Sequence, residues 1–541
     1  MVLAAIIALS VVIIAHELGH FFTARRNGVK VEAFSVGFGP RLWGVKKGET
    51  DYRISLLLFG GYVRMKGMES EQGKEPHEIE GGFFAAKPGR RSLIAVAGPA
   101  MNILLALAVF TLLWFTGRKV PRGVLTTTIG YLEEASPARK AGFLPGDTIL
   151  EVNGQTVHEW KDILGAVAFS AANTAELTVK RNGVTVRKTV SVELDKEVGY
   201  RDLRIYPRMD LIVSEVEEGS LAKKVGLRKG DRLRRLAGER LYHIGQFREI
   251  LRTNIGKQVD LLVSRETRRP RELPLSFAVP APGLGVKFVT KGSPAQKVGL
   301  RAGDLIVTAG SEKIPTAGAL EDILNQNAGK VIKLKVERGQ HPTTGHKPRE
   351  APEHNLLGAH LEVGFPTLGF VWDVAYEDKK ENPFSATYSA VRNVVLTLKA
   401  LITRTVSTKG ISGPVGIVGM IAKSISISIT TFLYFIGFLS ANFAVINLLP
   451  IPIVDGGHIM FCAIEKVRRK PIRQKTMTAL VNVFFVLILA FFLFVTRNDI
   501  VRFFKGRSQE GPGKKREISL KVPAAGVSLS ADRGQTSPPE T

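Results

Sequence analysis

The sequence predicts a polytopic α-helical membrane protein with about four transmembrane helices, inserted tandem α+β modules and a small loop β-hairpin. Four apolar runs are long enough to cross a bilayer as helices, since a span needs about 20 residues. The pattern S-x-A-x-x-x-G-x-x-x-G-D occurs three times between the second and third runs, which predicts a repeated structural unit. A strand-forming stretch broken at Gly60-Gly61 follows the first run and predicts the hairpin.

The apolar runs also predict how the chain crosses the membrane. The four predicted spans are residues 1–24, 92–117, 424–449 and 476–496. Short loops rich in Lys and Arg, at 25–91 and 450–475, separate the first pair and the last pair of spans. Because positive charge marks cytoplasmic loops, we expect both loops in the cytoplasm, with the termini and the long 118–383 region on the other side.

Composition restricts the class of protein further. The 541 residues include 75 Lys and Arg against 49 Asp and Glu, a net charge of +26. So basic a chain suits nucleic acid or an anionic membrane surface, but no nucleic-acid motif is present and the apolar runs favour the membrane. Cys462 is the only cysteine, which excludes an intrachain disulfide and a cysteine-rich zinc site. The first run lacks a basic start and a small-residue cleavage site, so we expect a retained span rather than a signal peptide.

Three polar residues interrupt the first apolar run. His16, Glu17 and His20 form an H-E-x-x-H motif in a segment where charged groups are costly and therefore usually functional. On a helix, His16 and His20 project from one face, one turn apart. This arrangement predicts two zinc ligands and a general base. The alternative is a pair of hydrogen-bonded core histidines and a chance match, but such a role would not require Glu17.

A catalytic zinc usually has three protein ligands, so a third is expected elsewhere in the chain. The strongest candidate is Asp455, which follows Pro450 and Pro452 just beyond the third span. A carboxylate after a proline-broken helix end could be held inward at the depth of the two histidines. His458, in the same segment, is a rival ligand, and a loop-capping role for Asp455 is the ordinary alternative.

The three repeats resemble the PDZ module, with a short helix, a Gly-Asp turn and a strand expected in each. We place the modules at 122–194, 205–279 and 283–338, and Gly283-Leu284-Gly285-Val286 resembles a PDZ carboxylate-binding loop. PDZ modules bind an extended peptide, often a C-terminus, by adding it to a sheet edge. The alternative is that one or more modules only space or shield the active site.

The remaining segments are less distinctive. Residues 339–408 predict a linker that ends in an amphipathic helix lying on the membrane from residue 383. The tail at 505–541 is rich in Gly, Ser, Pro and Lys and is expected to be disordered. The loop hairpin, near residues 52–66, could equally be a small soluble hairpin without a functional role.

Several motifs together resemble one family. HELGH in the first span, GGYV in the loop, inserted PDZ modules and N-x-x-P-x-P-x-x-D-G near the third span are similar to the site-2 protease family of intramembrane zinc metalloproteases. The bacterial protease that regulates the sigma-E pathway is the most similar form, and the resemblance extends from residue 1 to about 504. Two departures are Val454, where Leu is usual, and three PDZ-like modules where two are familiar.

The resemblance implies residue roles. It makes His16, His20 and Asp455 zinc ligands and Glu17 the residue that activates water. It also implies that the loop hairpin holds substrate as an added strand and that an asparagine near the third span contacts substrate or the transition state. The implied substrate-binding residues are Asn447, Asn442, Gly60, Gly61, Tyr62 and Val63.

The resemblance also implies a function. We expect a zinc metalloendopeptidase of the bacterial inner membrane, with its PDZ region extracytoplasmic. Its substrate would be a single-span membrane protein, such as an anti-sigma factor, already trimmed by another protease, and the PDZ modules would exclude longer chains. Membrane lipid is an expected partner and nucleic acid is not. The alternatives are a non-catalytic PDZ scaffold for extracytoplasmic peptide tails and a membrane-anchored protease of soluble type.

Overall fold

The computed structural model divides into two compact units. It describes residues 2–68, 75–134, 136–192, 194, 199–266, 271–280, 284–289, 293–301, 304–314, 317–338, 354–356, 359–363, 368, 370–407, 413–506, 514–522 and 530–531. One unit comprises Met1–Val120 with Glu377–Ile500, and the other comprises Pro121–Tyr376 with Val501–Thr541. The candidate membrane spans lie in the first unit and the repeats in the second.

The helices differ in length between the two units. They are α1 (Val2–Arg26), α2 (Pro88–Thr116), α3 (Pro137–Lys140), α4 (Trp160–Ala168), α5 (Leu221–Lys224), α6 (Ile244–Thr253), α7 (Pro294–Lys297), α8 (Ala317–Gln326), α9 (Pro383–Ile402), α10 (Pro414–Ile427), α11 (Ile429–Asn447), α12 (Asp455–Arg468) and α13 (Gln474–Gly506). Within the described residues, α1, α2, α11 and α13 are long and apolar enough to cross a membrane. The four predicted spans are therefore confirmed as candidate spans.

Most of the strands belong to the second unit. They are β1 (Val31–Lys47), β2 (Thr50–Met65), β3 (Arg118–Pro121), β4 (Ile129–Leu132), β5 (Thr148–Val152), β6 (Gln155–Thr156), β7 (Thr174–Arg181), β8 (Val184–Ser191), β9 (Ile205–Pro207), β10 (Leu211–Val216), β11 (Arg232–Leu236), β12 (Glu239–Arg240), β13 (Gln258–Arg265), β14 (Arg271–Ala278), β15 (Leu284–Val289), β16 (Asp304–Ala309), β17 (Glu312–Lys313), β18 (Val331–Arg338), β19 (His354–Leu356), β20 (Ala359–Val363), β21 (Phe370–Val374), β22 (Tyr376–Lys379), β23 (Lys514–Lys521) and β24 (Ser530–Ala531).

In the first unit, the third apolar run is divided between two helices. Ser428 ends α10 and caps α11, accepting a hydrogen bond from the backbone N–H of Thr431 at 3.0 Å. The spanning helix therefore begins at Ile429 rather than at residue 424. It ends at Asn447, shortly before Pro450 and Pro452, because proline cannot continue a helix.

The loop sheet differs from the predicted hairpin. A tight turn between Lys47 and Thr50 joins its strands, whereas Gly60-Gly61 lie inside β2, so the glycine pair is not the turn of a two-stranded hairpin. Both strands fold back, and residues 31–36 of β1 pair with residues 61–65 on one side and residues 51–54 on the other. Residues 51–54 run parallel to residues 33–36 and residues 61–65 run antiparallel to them, so the chain reverses direction between residues 54 and 61. Gly60 lies in this reversal at φ +136°, a backbone conformation that glycine tolerates.

The repeat pattern is explained by two local hydrogen bonds. The serine that opens each repeat caps a four-residue helix with its side chain, at the starts of α3, α5 and α7. The aspartate that closes each repeat accepts a backbone N–H from three residues earlier at 2.9 Å, in Asp147, Asp231 and Asp304. Each repeat is thus a compact turn that leads into a core strand.

Each repeat belongs to one of three modules, and each module has its own apolar core. The first module comprises β4–β9 with α3 and α4. The second module joins β10–β14 to β21 in the order β14-β13-β11-β10-β21, with β12 beside β11. The third module joins β15–β20 to β23 and β24 in the order β23-β18-β16-β15-β20-β19-β24, with β17 beside β16.

The second module is discontinuous in sequence. Strand β21 returns to it after β15–β20, pairing antiparallel with β10, and Leu368 joins its apolar core. The predicted module boundaries at 279 and 338 therefore miss part of both modules, and the predicted 339–408 linker contains β19–β22 and α9. Leu284 and Gly285 lie in β15 and pair with β16 and β20, and Gly283 lies outside the described residues, so the carboxylate-binding loop stays a prediction.

The predicted disordered tail is also partly wrong. Strand β23 pairs over its full length with β18, and β24 pairs with β19. Leu520 and Val522 are buried in the core of the third module. The polar composition of the tail conceals these alternating apolar residues, since a single strand needs few of them when the sheet already exists.

Candidate metal centre and active site

Helix α1 presents the H-E-x-x-H motif inside the first unit. His16 and His20 are buried, and their ring centroids lie 4.7 Å apart on one helical face, as the i, i+4 spacing requires. Their Nε2 atoms are 3.1 Å apart and face the same point. The pair is therefore arranged for a shared ligand rather than for two separate hydrogen-bond partners.

Asp455 is the first residue of α12 and completes this cluster. Its Oδ2 lies 3.0 Å from His16 Nε2, and its Oδ1 lies 3.3 Å from His20 Nε2. The two following glycines allow this position: a Cβ on Gly456 would lie 2.1 Å from the Leu449 carbonyl oxygen, and one on Gly457 would lie 2.3 Å from that of Ile451. The proline-rich segment thus folds tightly back and directs the carboxylate toward α1.

The outer ring nitrogens of both histidines are engaged by α2. His20 Nδ1 donates to the Ile94 carbonyl oxygen at 2.8 Å, and His16 Nδ1 lies 3.2 Å from the Asn102 side-chain amide. Asn102 is fully buried and its Oδ1 has no hydrogen-bond partner as assigned. Exchanging its amide oxygen and nitrogen makes Oδ1 the acceptor of His16 Nδ1–H. Both Nε2 lone pairs then face Asp455 and are free to bind a metal.

The donor set fits a zinc ion. His16, His20 and Asp455 form a group whose ligand atoms lie close enough to hold one metal. Their separations of 3.0, 3.1 and 3.3 Å approach the roughly 3.3 Å edge of a zinc tetrahedron with bonds of about 2.05 Å. Asp455 Oδ2 is buried without a properly oriented hydrogen bond, which is costly unless a cation is present. Two imidazoles and a carboxylate are also a typical catalytic zinc set.

Glu17 lies between the histidines and the loop sheet. A Cβ on Gly61 would come within 3.6 Å of Glu17 Cγ and 2.7 Å of the Ser35 carbonyl oxygen, so only glycine allows this approach. The Val63 backbone interacts with the Glu17 carboxylate. Two of the predicted substrate-binding residues, Gly61 and Val63, are therefore adjacent to the predicted base. Gly60 and Tyr62 share the same strand, and Tyr62 stacks on Phe38 at 6.0 Å.

The other predicted residues lie outside the ligand cluster. His458 packs edge-on against Phe83 at 5.7 Å and does not belong to the group of ligand atoms formed by His16, His20 and Asp455. Asn442 donates its side-chain amide to the Phe438 carbonyl oxygen of its own helix at 2.7 Å. Asn447 is the last residue of α11, two residues before Leu449, and its role remains a prediction.

Sequence reasoning missed two residues of α2. Asn102 orients His16, and Gly98 makes room for both imidazoles, since a Cβ there would lie 2.3 Å from His20 Nε2. Both belong to an apolar span in which Asn102 is the only polar side chain between residues 93 and 110. Such an intramembrane polar residue is itself a functional signal.

Comparison with known proteins identifies the family. The model of peptidase family M50 matches residues 4–491. This chain belongs to peptidase family M50. It is 29% identical to the Escherichia coli regulator of sigma-E protease RseP over 509 residues, covering 92% of this chain and 97% of that protein. A Neisseria meningitidis protein named as a zinc metalloprotease is 29% identical over 513 residues. The match covers 92% of this chain and 98% of the length of that protein.

Membership of family M50 settles the class of enzyme. A Chlamydia pneumoniae protein, also named as a zinc metalloprotease, is 26% identical over 627 residues, covering 92% of this chain and 99% of its own. This M50 protein is a zinc metalloprotease of the site-2 type that uses Zn²⁺. Its four candidate spans make it an integral membrane protein.

Proposed function

We propose that this M50 protease cuts a peptide bond within or beside the transmembrane segment of a single-span membrane protein, such as an anti-sigma factor. One observation carries the proposal: the H-E-x-x-H residues lie in a candidate span and converge with Asp455 on one point. A soluble-type protease would instead need its ligands on helices outside the membrane. The position of the site therefore favours a substrate that lies in or next to the bilayer.

His16, His20 and Asp455 would hold the zinc, and α2 would keep both histidines in the ligating tautomer through Ile94 and Asn102. Zinc held there would supply a Lewis acid that polarises a carbonyl group and makes water more acidic. Glu17, on the same helix, would take the proton from the attacking water and return it to the leaving amine. Its neighbours Gly61 and Val63 support this role, because they bring the loop sheet beside the reacting groups.

The loop sheet would hold the substrate as an added strand. A transmembrane helix satisfies its own backbone hydrogen bonds, so it must unwind before its peptide bonds become accessible. Among the described residues, strand pairing of Gly61–Met65 is recorded on one side only, with residues 31–36. A substrate strand added to the other side would recover the lost hydrogen bonds. We expect Asn447 to contact that substrate, while the amide nitrogen of Asn442 is already used within α11.

The proposed location is the bacterial inner membrane, with loops 25–91 and 450–475 in the cytoplasm. Exposed apolar side chains of the loop sheet, including Leu42, Trp43 and Leu56, suit contact with membrane lipid. We propose that the three modules are PDZ-like and extracytoplasmic, that they bind peptide C-termini, and that they exclude substrates not yet trimmed by another protease. Pairing of β18 with β23 supports an even number of spans between these strands, because both strands must lie on the same side of the membrane.

Substrate trapping tests the proposal. The Glu17→Gln variant should fold and bind zinc but cleave about 10²- to 10⁴-fold more slowly, since it lacks the general base. Single-span membrane fragments should accumulate in cells that express this variant instead of the wild type. Glu239→Gln, an exposed change in β12, is the matched control and should clear those fragments normally. If Glu17→Gln clears membrane fragments as the wild type does, cleavage of single-span substrates with Glu17 as the base is ruled out.

A further inference from the structure

The third module is built differently from the other two. In the first module β7 forms a hairpin with β8, and in the second β13 forms one with β14, so each strand pairs with the segment that follows it. In the third module the corresponding strand is β18, but its antiparallel partner is β23, which begins at Lys514. The partner strand therefore comes from the C-terminal tail, after the last span.

Core packing shows that these partner strands are equivalent. Each contributes two alternating apolar residues to the core of its module: Val190 and Val192, Phe277 and Val279, Leu520 and Val522. The second residue of each pair is a valine, and its backbone N–H donates to the residue just before β7, β13 or β18. The acceptors are the carbonyl oxygens of Asn173 at 2.7 Å, Lys257 at 2.9 Å and Lys330 at 2.9 Å.

The sequences of two of these strands also agree. The second module has Ser-Phe-Ala-Val-Pro-Ala at 276–281 and the tail has Ser-Leu-Lys-Val-Pro-Ala at 519–524. In both sequences a serine comes first, two apolar residues alternate after it, and a proline follows the second of them. A tail segment without a structural role would not be expected to repeat the strand of a neighbouring module.

We propose that the C-terminal segment Lys514–Val522 is the missing strand of the third module and binds the edge formed by β18. This inference is independent of the proposed proteolytic function. An unfilled edge would leave the polar backbone groups of β18 open to pairing with other chains. Because β18 and β23 are separated by about 180 residues, α11, α12 and α13 must be synthesised before the module is complete. The tail thus fastens the third module after the last span has crossed the membrane.

Cysteine cross-linking in the full-length protein tests the register. With Cys462 replaced by Ala, Lys333→Cys and Ser519→Cys should form a disulfide on oxidation, since these residues are direct partners in the antiparallel pair. Lys333→Cys with Lys515→Cys is the matched control, because Lys515 pairs with Glu337 instead, about 13 Å along the strand. Equal cross-linking of the two pairs, or none in either, would overturn the proposal.

Truncation tests whether the module depends on the strand. A variant truncated after residue 506 should lose hydrogen-exchange protection along β18, while protection of β7 and β13 in the other modules stays unchanged. A synthetic peptide of residues 514–522 should restore that protection, and a scrambled peptide should not. A protein lacking only residues 532–541 is the control and should match the wild type. Unchanged protection of β18 after removal of 507–541 would contradict the proposal.

Discussion

Buried carboxylates occur in both units, and their surroundings differ. In the second module Asp231 accepts two hydrogen bonds from Arg265, at 2.6 and 2.7 Å, and one from the Arg228 backbone at 2.9 Å. In the first unit Asp455 faces only two imidazole nitrogens, and its Oδ2 has no properly oriented hydrogen bond. Both carboxylates are ionisable groups largely removed from water, but only Asp231 is paired with a cationic side chain, that of Arg265.

The difference separates a structural aspartate from a candidate metal ligand. Asp147 of the first module repeats the arrangement of Asp231, with Arg181 in place of Arg265, so the paired carboxylate belongs to the repeat. A buried charge is tolerated when it is paired and hydrogen-bonded. The Asp455 carboxylate is surrounded by two imidazole nitrogens instead of a cationic side chain, and a metal ion bound among these atoms would balance its charge.

Removing Asp231 should therefore affect stability without affecting zinc. Asp231→Ala leaves the partly buried Arg265 guanidinium without its carboxylate partner. Loss of one member of such a pair lowers the free energy of unfolding by about 3–5 kcal/mol. We expect the second module to unfold at lower temperature while the purified protein keeps its zinc. Asp260→Ala, an exposed change in β13, should leave both properties unchanged. Loss of zinc from Asp231→Ala would break the distinction between the two carboxylates.

A histidine in the second unit provides a pH-dependent comparison with the two histidines of the candidate metal centre. His243 of the second module stacks against both Tyr131 and Tyr206 of the first, at 5.5 and 5.3 Å, and the two tyrosine rings lie 6.0 Å from each other. Burial, with a smaller contribution from Arg248, lowers the pKa of His243 to about 4. Its unfolded form has a pKa of about 6.5, so the unfolded chain binds more protons between these values.

The two modules should consequently lose up to about 3 kcal/mol of stability as pH falls from 6.5 to 4, and regain it as pH rises. Below pH 4 both forms are protonated and the loss no longer grows. His243→Gln removes the titrating group, and the difference between wild type and this variant isolates its contribution. A wild-type stability that tracks His243→Gln throughout this range would show that the stacked imidazole does not resist protonation. The proteolytic susceptibility of the two modules, measured from pH 4 to 6.5, reports how their stability changes with pH.

Asn102 sharpens the comparison at the zinc site itself. Asn102→Ala leaves His16 Nδ1 without its partner, and loss of such a contact usually weakens metal binding about 10- to 100-fold. Competition with a zinc chelator gives the affinity directly. Asn442→Ala is the matched control, since its amide bonds only to its own helix, and it should bind zinc as the wild type does. Equal affinity in the two variants would remove Asn102 from the support of the site.

The sequence predicted the features that depend on short motifs. The spans, the repeats and the pairing of His16 and His20 follow from local patterns, and Asp455 follows from a proline-broken helix end next to glycines. The structure places Asp455 beside those histidines. Contacts between distant segments could not be predicted in this way. Asn102 is a single polar residue in an apolar span, and its partner becomes apparent only when α1 and α2 pack.

Long-range strand pairing was also hidden. The chain does reverse near Gly60-Gly61, but residues 51–54 and 61–65 lie on either side of residues 33–36 instead of pairing with each other. The return of β21 to the second module and the pairing of β23 with β18 join segments separated by more than a hundred residues. Hydrophobic periodicity reports which face of a strand is buried, but it contains no information about which neighbour that strand joins.

Zinc content tests the central claim most directly. Purified full-length wild-type protein should contain about one zinc per chain, and Glu17→Gln should match it, because Glu17 is not a ligand. Asp455→Ala should lose most of that zinc while its second unit keeps the thermal stability of the wild type. Asp455→Ala protein that retains one tightly bound zinc per chain would contradict the assignment of His16, His20 and Asp455 as the metal site.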